Sequence, residues 1–159
     1  MNNDGKGYDV WRHSPLRYLG YANELGESLK PIYPRLLVPS YIIAFAYVFG
    51  DTADKSLTEL QNNPKDRWTV MKTTIDTLCW QTLASVLIPG FTINRVVALT
   101  EFSLKKTSLV HPVLIRGSPT AIGITIIPII VHPIDSAVEY GMNQTLRPFM
   151  DSKFSNYKS

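Results

Sequence analysis

The segment Ile88-Pro89-Gly90-Phe91-Thr92-Ile93-Asn94-Arg95-Val96, read with its later echo Ile127-Pro128-Ile129-Ile130-Val131-His132-Pro133-Ile134-Asp135, decides the fold class. In each, an apolar run ends and a few polar or charged groups begin. Each carries proline, which removes a backbone donor and kinks or ends a helix. A soluble helix shows a polar stripe through such a run, whereas these two segments are apolar nearly all round. They read as helices surrounded by lipid or by other helices, with polar groups held at their ends. No catalytic apparatus accompanies them, so the pattern points to an architectural role.

Outward from these segments the chain reads as helix after helix. Ser14 and Pro15 form a cap and first-turn pair that opens a helix over Pro15–Lys30. In it Leu16, Leu19, Ala22 and Leu25/Gly26 recur at helical spacing, with Glu24 and Glu27 on the polar side. Such an amphipathic helix lies on a membrane surface or packs on a partner, and an ordinary surface helix of a soluble bundle fits the same residues. Leu36 to Gly50 is an apolar run without a charge. At 1.5 Å per residue it spans roughly 22 Å, short of the ~30 Å hydrocarbon core, and reaching back to Pro31 lengthens it enough. Arg35 then lies near the end, where it can snorkel to the interface, and Tyr33, Tyr41 and Tyr47 supply aromatic edges.

Asn62-Asn63-Pro64 marks the turn of a polar connector. A second helix is predicted from Asp66 to Ile88, ended or broken by Pro89-Gly90, with Phe91 to Leu99 resuming helical character. Lys72 and Asp76 stand one turn apart on it, the spacing of an ion pair. The third run, Thr120 to Ile134, contains Gly123, Pro128 and Pro133, which membrane helices tolerate when neighbours satisfy the freed backbone. A final amphipathic helix is predicted over Ser136–Phe149. The whole is an all-α, small helical membrane bundle with about three short transmembrane helices and flanking amphipathic helices. Its divisions are a flexible N-terminus at 1–14, one helical domain at 15–149 and a flexible tail at 150–159.

Composition narrows the function classes without closing the question of solubility. Apolar residues make up 45% of the 159 and charged residues 18%, with a mean hydropathy of −0.01. These values suit either a soluble or a membrane bundle. The net charge of +3 is scattered among acids, with no basic stripe to follow nucleic-acid phosphates. Cys79, the single cysteine, sits in an apolar run beside Leu78 and Trp80, a setting for a buried small hydrophobe. The polar N-terminus has neither the apolar core of a secretory signal nor the acid-poor character of a transit peptide, so no cleaved targeting segment is evident.

Catalytic constellations are scarce. His132 and Asp135 are three residues apart with Pro133 between them, and His13 and His111 have no ligand-spaced partners. The His132–Asp135 pair reads better as a polar cap that closes the helix end and pairs with Arg95 or Arg116. No phosphate loop, nucleophile elbow or zinc-protease helix is present in the sequence, so neither cofactor nor metal is expected.

A resemblance adds to this reading. Arg17-Tyr18-Leu19-Gly20-Tyr21-Ala22-Asn23-Glu24-Leu25-Gly26-Glu27 resembles the opening signature of the mitochondrial fission process protein family. The likeness continues through Tyr47-Val48, Asp51, Asp54-Lys55, Asp76-Thr77, Trp80-Gln81 and Leu83-Ala84-Ser85-Val86, and takes in both proline segments. It covers roughly residues 16–147. It implies an integral protein of the mitochondrial inner membrane, linked to fission and inner-membrane integrity and without enzymatic activity. Ser136 departs from the pattern, because animal members tend to carry a basic residue there.

Lys72, Asp76, Trp80, Gln81, Pro89, Gly90, Asn94 and Arg95 are therefore structural or partner-contact candidates, together with Pro128, His132, Pro133 and Asp135. The partners expected are the lipid bilayer and unidentified proteins within it, with no nucleic acid and no small-molecule substrate. Membrane shaping or partner recruitment leads. A small transporter or channel-like protein, motivated by the proline-broken helices and Asp76, and a soluble helical adaptor are the alternatives. Three crossings would put the N-terminal segment and the Arg95–Arg116 loop on one side. That side would carry nine basic residues (Lys6, Arg12, Arg17, Lys30, Arg35, Arg95, Lys105, Lys106, Arg116) against seven on the other. The positive-inside rule then points it to the matrix.

Overall fold

The computed structural model describes residues 11, 15–106 and 111–155. Of the two termini expected to be loose, only Trp11 and residues 150–155 fall among them. Every regular element in the described residues is helical. A 3-10 stretch, Pro15–Tyr21, leads into α1 (Ala22–Leu29), and a short 3-10 turn at Pro34–Leu36 leads into α2 (Leu37–Asn62). Then come α3 (Arg67–Gln81), a π-helical segment Thr82–Leu87, α4 (Ile88–Lys106), α5 (Pro112–Gln144) and α6 (Leu146–Ser155). Three helical stretches are long and apolar enough to cross a membrane: Pro34–Asn62, Arg67–Lys106 and Pro112–Lys153. Asp66 caps α3 by accepting from the Thr69 backbone N–H at 3.1 Å. His111 caps α5 in the same way, its Nδ1 accepting from Val113 at 3.3 Å with Pro112 at the first helical position.

The prolines do not break these helices. The chain stays helical from Arg67 through Lys106, and the π-helical segment just before Pro89 widens the turn that the proline ring would otherwise crowd. Pro119, Pro128 and Pro133 all lie inside α5, which runs unbroken to Gln144. The break expected after Asp135 comes instead at Thr145, and the last helix continues through Ser155, past the predicted end at Phe149. In α5 the Thr125 hydroxyl donates to the Ala121 carbonyl at 2.8 Å, so that side chain is satisfied within its own helix.

The bundle is polar inside and apolar outside. Val38 (67%), Phe91 (64%) and Ile129 (65%) are widely exposed. Asn23, Glu24, Ser28, Asp51 and Gln81 are buried, each with relative exposure 0%. Two apolar clusters complete the interior: Ala44, Tyr47, Val48 and Val86 in one, and Trp80, Ala84, Val138 and Met142 in the other. α1 is wedged among α2, α4 and α5 and runs antiparallel to α2. Gly20 meets Tyr47, and Gly26 meets Ser40.

That placement corrects the expected sidedness. Trp11 bonds Asp54, and Arg17 bonds Asp135, at the end opposite the Arg95–Arg116 loop. Among the described residues the loop end keeps six basic residues (Lys30, Arg35, Arg95, Lys105, Lys106, Arg116). The other end has seven (Arg17, Lys55, Lys65, Arg67, Lys72, Arg147, Lys153), so the charge bias toward the loop disappears.

Close helix approach rests on glycine. A Cβ at Gly123 of α5 would stand 2.7 Å from Ser28 Oγ and 3.0 Å from Val97 Cγ2, whereas one at Gly117 meets nothing within 4 Å. Small residues at such crossings let helices pack where lipid supplies no hydrophobic drive. Gly123→Ala should lower the melting temperature in detergent by several degrees. Gly117→Ala should hold or raise it, since alanine favours a helix interior by about 1 kcal/mol. Equal responses of the two variants would refute the close-packing account.

Candidate functional site

Asn23, Glu24, Glu27 and Ser28 fall on one stripe of α1, and the structure turns that stripe into the bundle. The outward side carries Leu25, and Tyr18 and Leu19 of the preceding turn are also exposed. The amphipathic helix expected to lie on a membrane surface or to pack on a partner is thus folded inward, polar side first. Periodicity gives the axis of such a helix and not its sense, because an apolar solvent reverses which face is wet.

Glu27 is the centre of this site. One carboxylate oxygen accepts from the Tyr41 hydroxyl of α2 at 3.0 Å, and the other from the Asn94 amide of α4 at 2.8 Å. Lys30 stands 3.8 Å from the same carboxylate. One turn earlier, the Asn23 amide donates to the Val86 carbonyl within the π-helical segment at 3.0 Å. Gly90 makes room for both helices, since a Cβ there would lie 2.8 Å from Asn23 Nδ2 and 2.9 Å from Tyr41 Oη. The segment Val86–Asn94 therefore acts as one receptor surface for α1.

A second layer lies toward the other end. Asp51 is fully buried and paired with Lys55 at 2.8 Å, and it also accepts from the Gln81 amide. Gln81 in turn accepts from the Ser85 hydroxyl at 2.7 Å. Arg17 and Asp135 pair at 2.5 Å. Between these layers sits Glu24, fully buried, with neither carboxylate oxygen hydrogen-bonded among the described residues. The same is true of Asn23 Oδ1 and Ser28 Oγ. Glu24 lies on α1, outside the three helices long enough to cross a membrane. Burial raises its carboxyl above the ordinary range, Asp135 adds to that rise, and Arg17 opposes it.

The residues singled out from sequence distribute unevenly. Gln81, Pro89, Gly90 and Asn94 line or support the polar site, and Trp80 packs in the apolar core. Arg95 is exposed, bonded to Asn94 Oδ1 at 2.9 Å and laid over the Phe91 ring. Asp135 pairs with Arg17 rather than with Arg95 or Arg116. Asp76 does not pair with Lys72. It is held in a two-pronged pair by Arg147 at 2.7 and 3.1 Å, while Lys72 reaches Asp151. Arg147 also holds Glu139 and Asn143, which joins α3, α5 and α6. Pro128 and His132 line an outward groove with Tyr18, Leu25 and Val131, and Pro133 is exposed beside it. Sequence reading missed Asn23, Glu24, Glu27, Asp51 and Arg147 as site residues.

This architecture has relatives. The family profile described as Mitochondrial 18 KDa protein (MTP18) matches residues 11–74 and 54–142. The chain belongs to that family. A protein named Mitochondrial fission process protein 1 from Caenorhabditis elegans is 43% identical over 87% of this chain and 87% of its own length. The proteins of the same name from Homo sapiens and Danio rerio are 42% and 39% identical, over 90% and 89% of this chain and 89% and 88% of their own lengths. No solved structure matches the chain. The family match spans α1, the π-helical segment and α5, so it includes every element that builds the polar site.

Two predictions follow from the charges. A carboxyl whose folded value lies above its unfolded one binds its proton more tightly when folded, so it favours folding in acid. That stability is lost as pH rises above the unfolded value near 4.5. The melting temperature of the detergent-solubilised chain should therefore fall between pH 5 and pH 8, and Glu24→Gln should flatten the profile and raise its alkaline end. A profile unchanged by Glu24→Gln would refute this. Separately, Arg147→Ala should cost about 2 kcal/mol through the lost charged bonds, and Lys72→Ala about 0.5 kcal/mol or less because that pair is open to solvent. Thermal or denaturant unfolding of both variants measures the ranking.

Proposed function

We propose that this chain is a non-enzymatic, multi-pass protein of the mitochondrial inner membrane that promotes mitochondrial fission and preserves inner-membrane integrity, chiefly by recruiting protein partners within the bilayer. The observation that carries the mechanism is the inward turn of α1. Its polar stripe is committed to Tyr41, Asn94 and Val86, so α1 is not available as a surface wedge that bends the membrane. Asp51, Asp76 and Asp135 are likewise tied to Lys55, Arg147 and Arg17, roles of assembly rather than of chemistry. The names of the relatives supply the link to fission, and the three long apolar helices support a membrane setting rather than a soluble adaptor. Family-level resemblance carries the compartment, while the geometry carries the mechanism.

A second reading rests on Glu24. A buried carboxyl without a hydrogen bond among the described residues, beside Asn23 and Ser28 oxygens in the same state, is the kind of polar feature that ion-conducting bundles use. One set of experiments separates the two. In cells depleted of their own family member, mitochondria should lengthen, and re-expression of this chain should restore division in live imaging. Glu27→Leu, which strands Tyr41 and Asn94, should fail to restore it. The protein should remain in the carbonate-resistant fraction of mitoplasts. Unchanged network length on depletion and re-expression would overturn the fission reading. Proton or cation flux into liposomes carrying the purified chain, abolished by Glu24→Gln, would favour transport instead.

A further inference from the structure

At the end of the bundle that holds the α1–α2 turn, a concavity of about 600 Å³ is lined by Lys30, Pro34, Asn94, Arg95, Glu101 and Arg116, among others. Its three cations come from three separate parts of the fold: the turn after α1, the middle of α4 and the first turns of α5. The nearby acids are already engaged. Glu101 pairs with Lys105 at 2.7 Å, and Glu27, which accepts from Tyr41 and Asn94, stands 3.8 Å from Lys30 and offsets its charge. Arg95 bonds only a neutral amide oxygen, and the Arg116 guanidinium has no carboxylate partner among the described residues. The concavity therefore keeps the uncompensated charge of Arg95 and Arg116, planar donors of the kind that grip a phosphate in two-pronged fashion.

Its surroundings favour one source of such a phosphate. Leu36, Val38, Leu99, Phe102, Val113 and Leu114 are exposed large apolar residues on the helix turns next to the lining residues. Charged rim and apolar flank together match a headgroup level with acyl chains running down the wall, and basic pockets between membrane helices hold anionic headgroups by this arrangement. We propose that this concavity seats the phosphodiester of an anionic phospholipid, with Arg95 and Arg116 as the principal donors and Lys30 as a supporting charge. The proposal rests on the membrane setting alone and not on any role in fission.

The test uses the full chain purified in neutral detergent, its melting temperature followed while lipid is added as mixed micelles. Phosphatidylglycerol should raise the melting temperature by several degrees, phosphatidylcholine should not, and inorganic phosphate at equal concentration should not. The double variant Arg95→Gln/Arg116→Gln should keep the lipid-free melting temperature, since both side chains are exposed, and should need at least about ten times more phosphatidylglycerol for the same shift. Lys65→Gln/Arg67→Gln, at the opposite end, should respond as the wild type does. An equal response to phosphatidylcholine, an unaltered response in the Arg95/Arg116 variant, or equal loss in the Lys65/Arg67 variant would overturn the site. A full response to inorganic phosphate alone would overturn the lipid assignment.

Discussion

In an apolar surround a buried carboxylate must find its hydrogen bonds inside the bundle, and Glu27 does so by accepting from two helices at once. The arrangement of the neighbouring elements depends on this contact. It brings α2 and α4 to one level against α1, and it sets α1 deep enough for Asn23 to reach the Val86 carbonyl. That depth requires Gly26 against Ser40, Gly90 against Asn23 and Tyr41, and Gly123 against Ser28. A larger residue at any of these crossings would push α1 outward and leave the Glu27 bonds unmade. The widened turn at Thr82–Leu87 belongs to the same unit, since it carries Pro89 without ending the helix and offers a carbonyl to Asn23.

Charge pairs then close the opposite end. Arg17 to Asp135 ties the segment before α1 to α5, and Arg147 to Asp76 folds α6 back onto α3. The pairs differ in weight. Lys105–Glu101 and Lys72–Asp151 are largely open to solvent, where such pairs contribute little. The bidentate Arg147–Asp76 pair and the buried Asp51 with Lys55 and Gln81 are sheltered, and losing one partner there leaves an uncompensated charge. Position along the chain gives no guide to this ranking, because the sheltered Arg147–Asp76 pair joins residues 71 positions apart and the sheltered Asp51–Lys55 pair lies within one turn of a single helix.

What could be read in the sequence follows the same physics. Three apolar helical spans were legible from runs such as Leu36–Gly50 without a charge, although they were expected to be short and the helices that carry them are long. Helix ends at Pro89 and Asp135 were not. The proline rule describes a helix in water, whereas here a π-helical turn precedes Pro89 and α5 runs unbroken through its three interior prolines. The stripe of α1 was legible as a stripe, and its inward direction was hidden because amphipathicity does not say which solvent lies outside. The i,i+4 spacing of Lys72 and Asp76 suggested a local pair, but a two-pronged guanidinium from α6 is the stronger partner for Asp76.

Lipid tails are as apolar as leucine, so apolar contact alone does not choose one packing of these helices over another. Directional bonds do. Glu27 fits only where Tyr41 and Asn94 converge, and Asp51 only where Lys55 and Gln81 meet, so polar groups that add modest net stability select a single arrangement. That choice has a consequence for where the molecule acts. With most of its interior polar groups committed to one another, the surfaces that remain for other molecules are the apolar wall and the charged ends. On the proposed reading, a protein built this way works on lipid and on neighbouring membrane proteins through its outer face, and its core serves to keep that face in one shape.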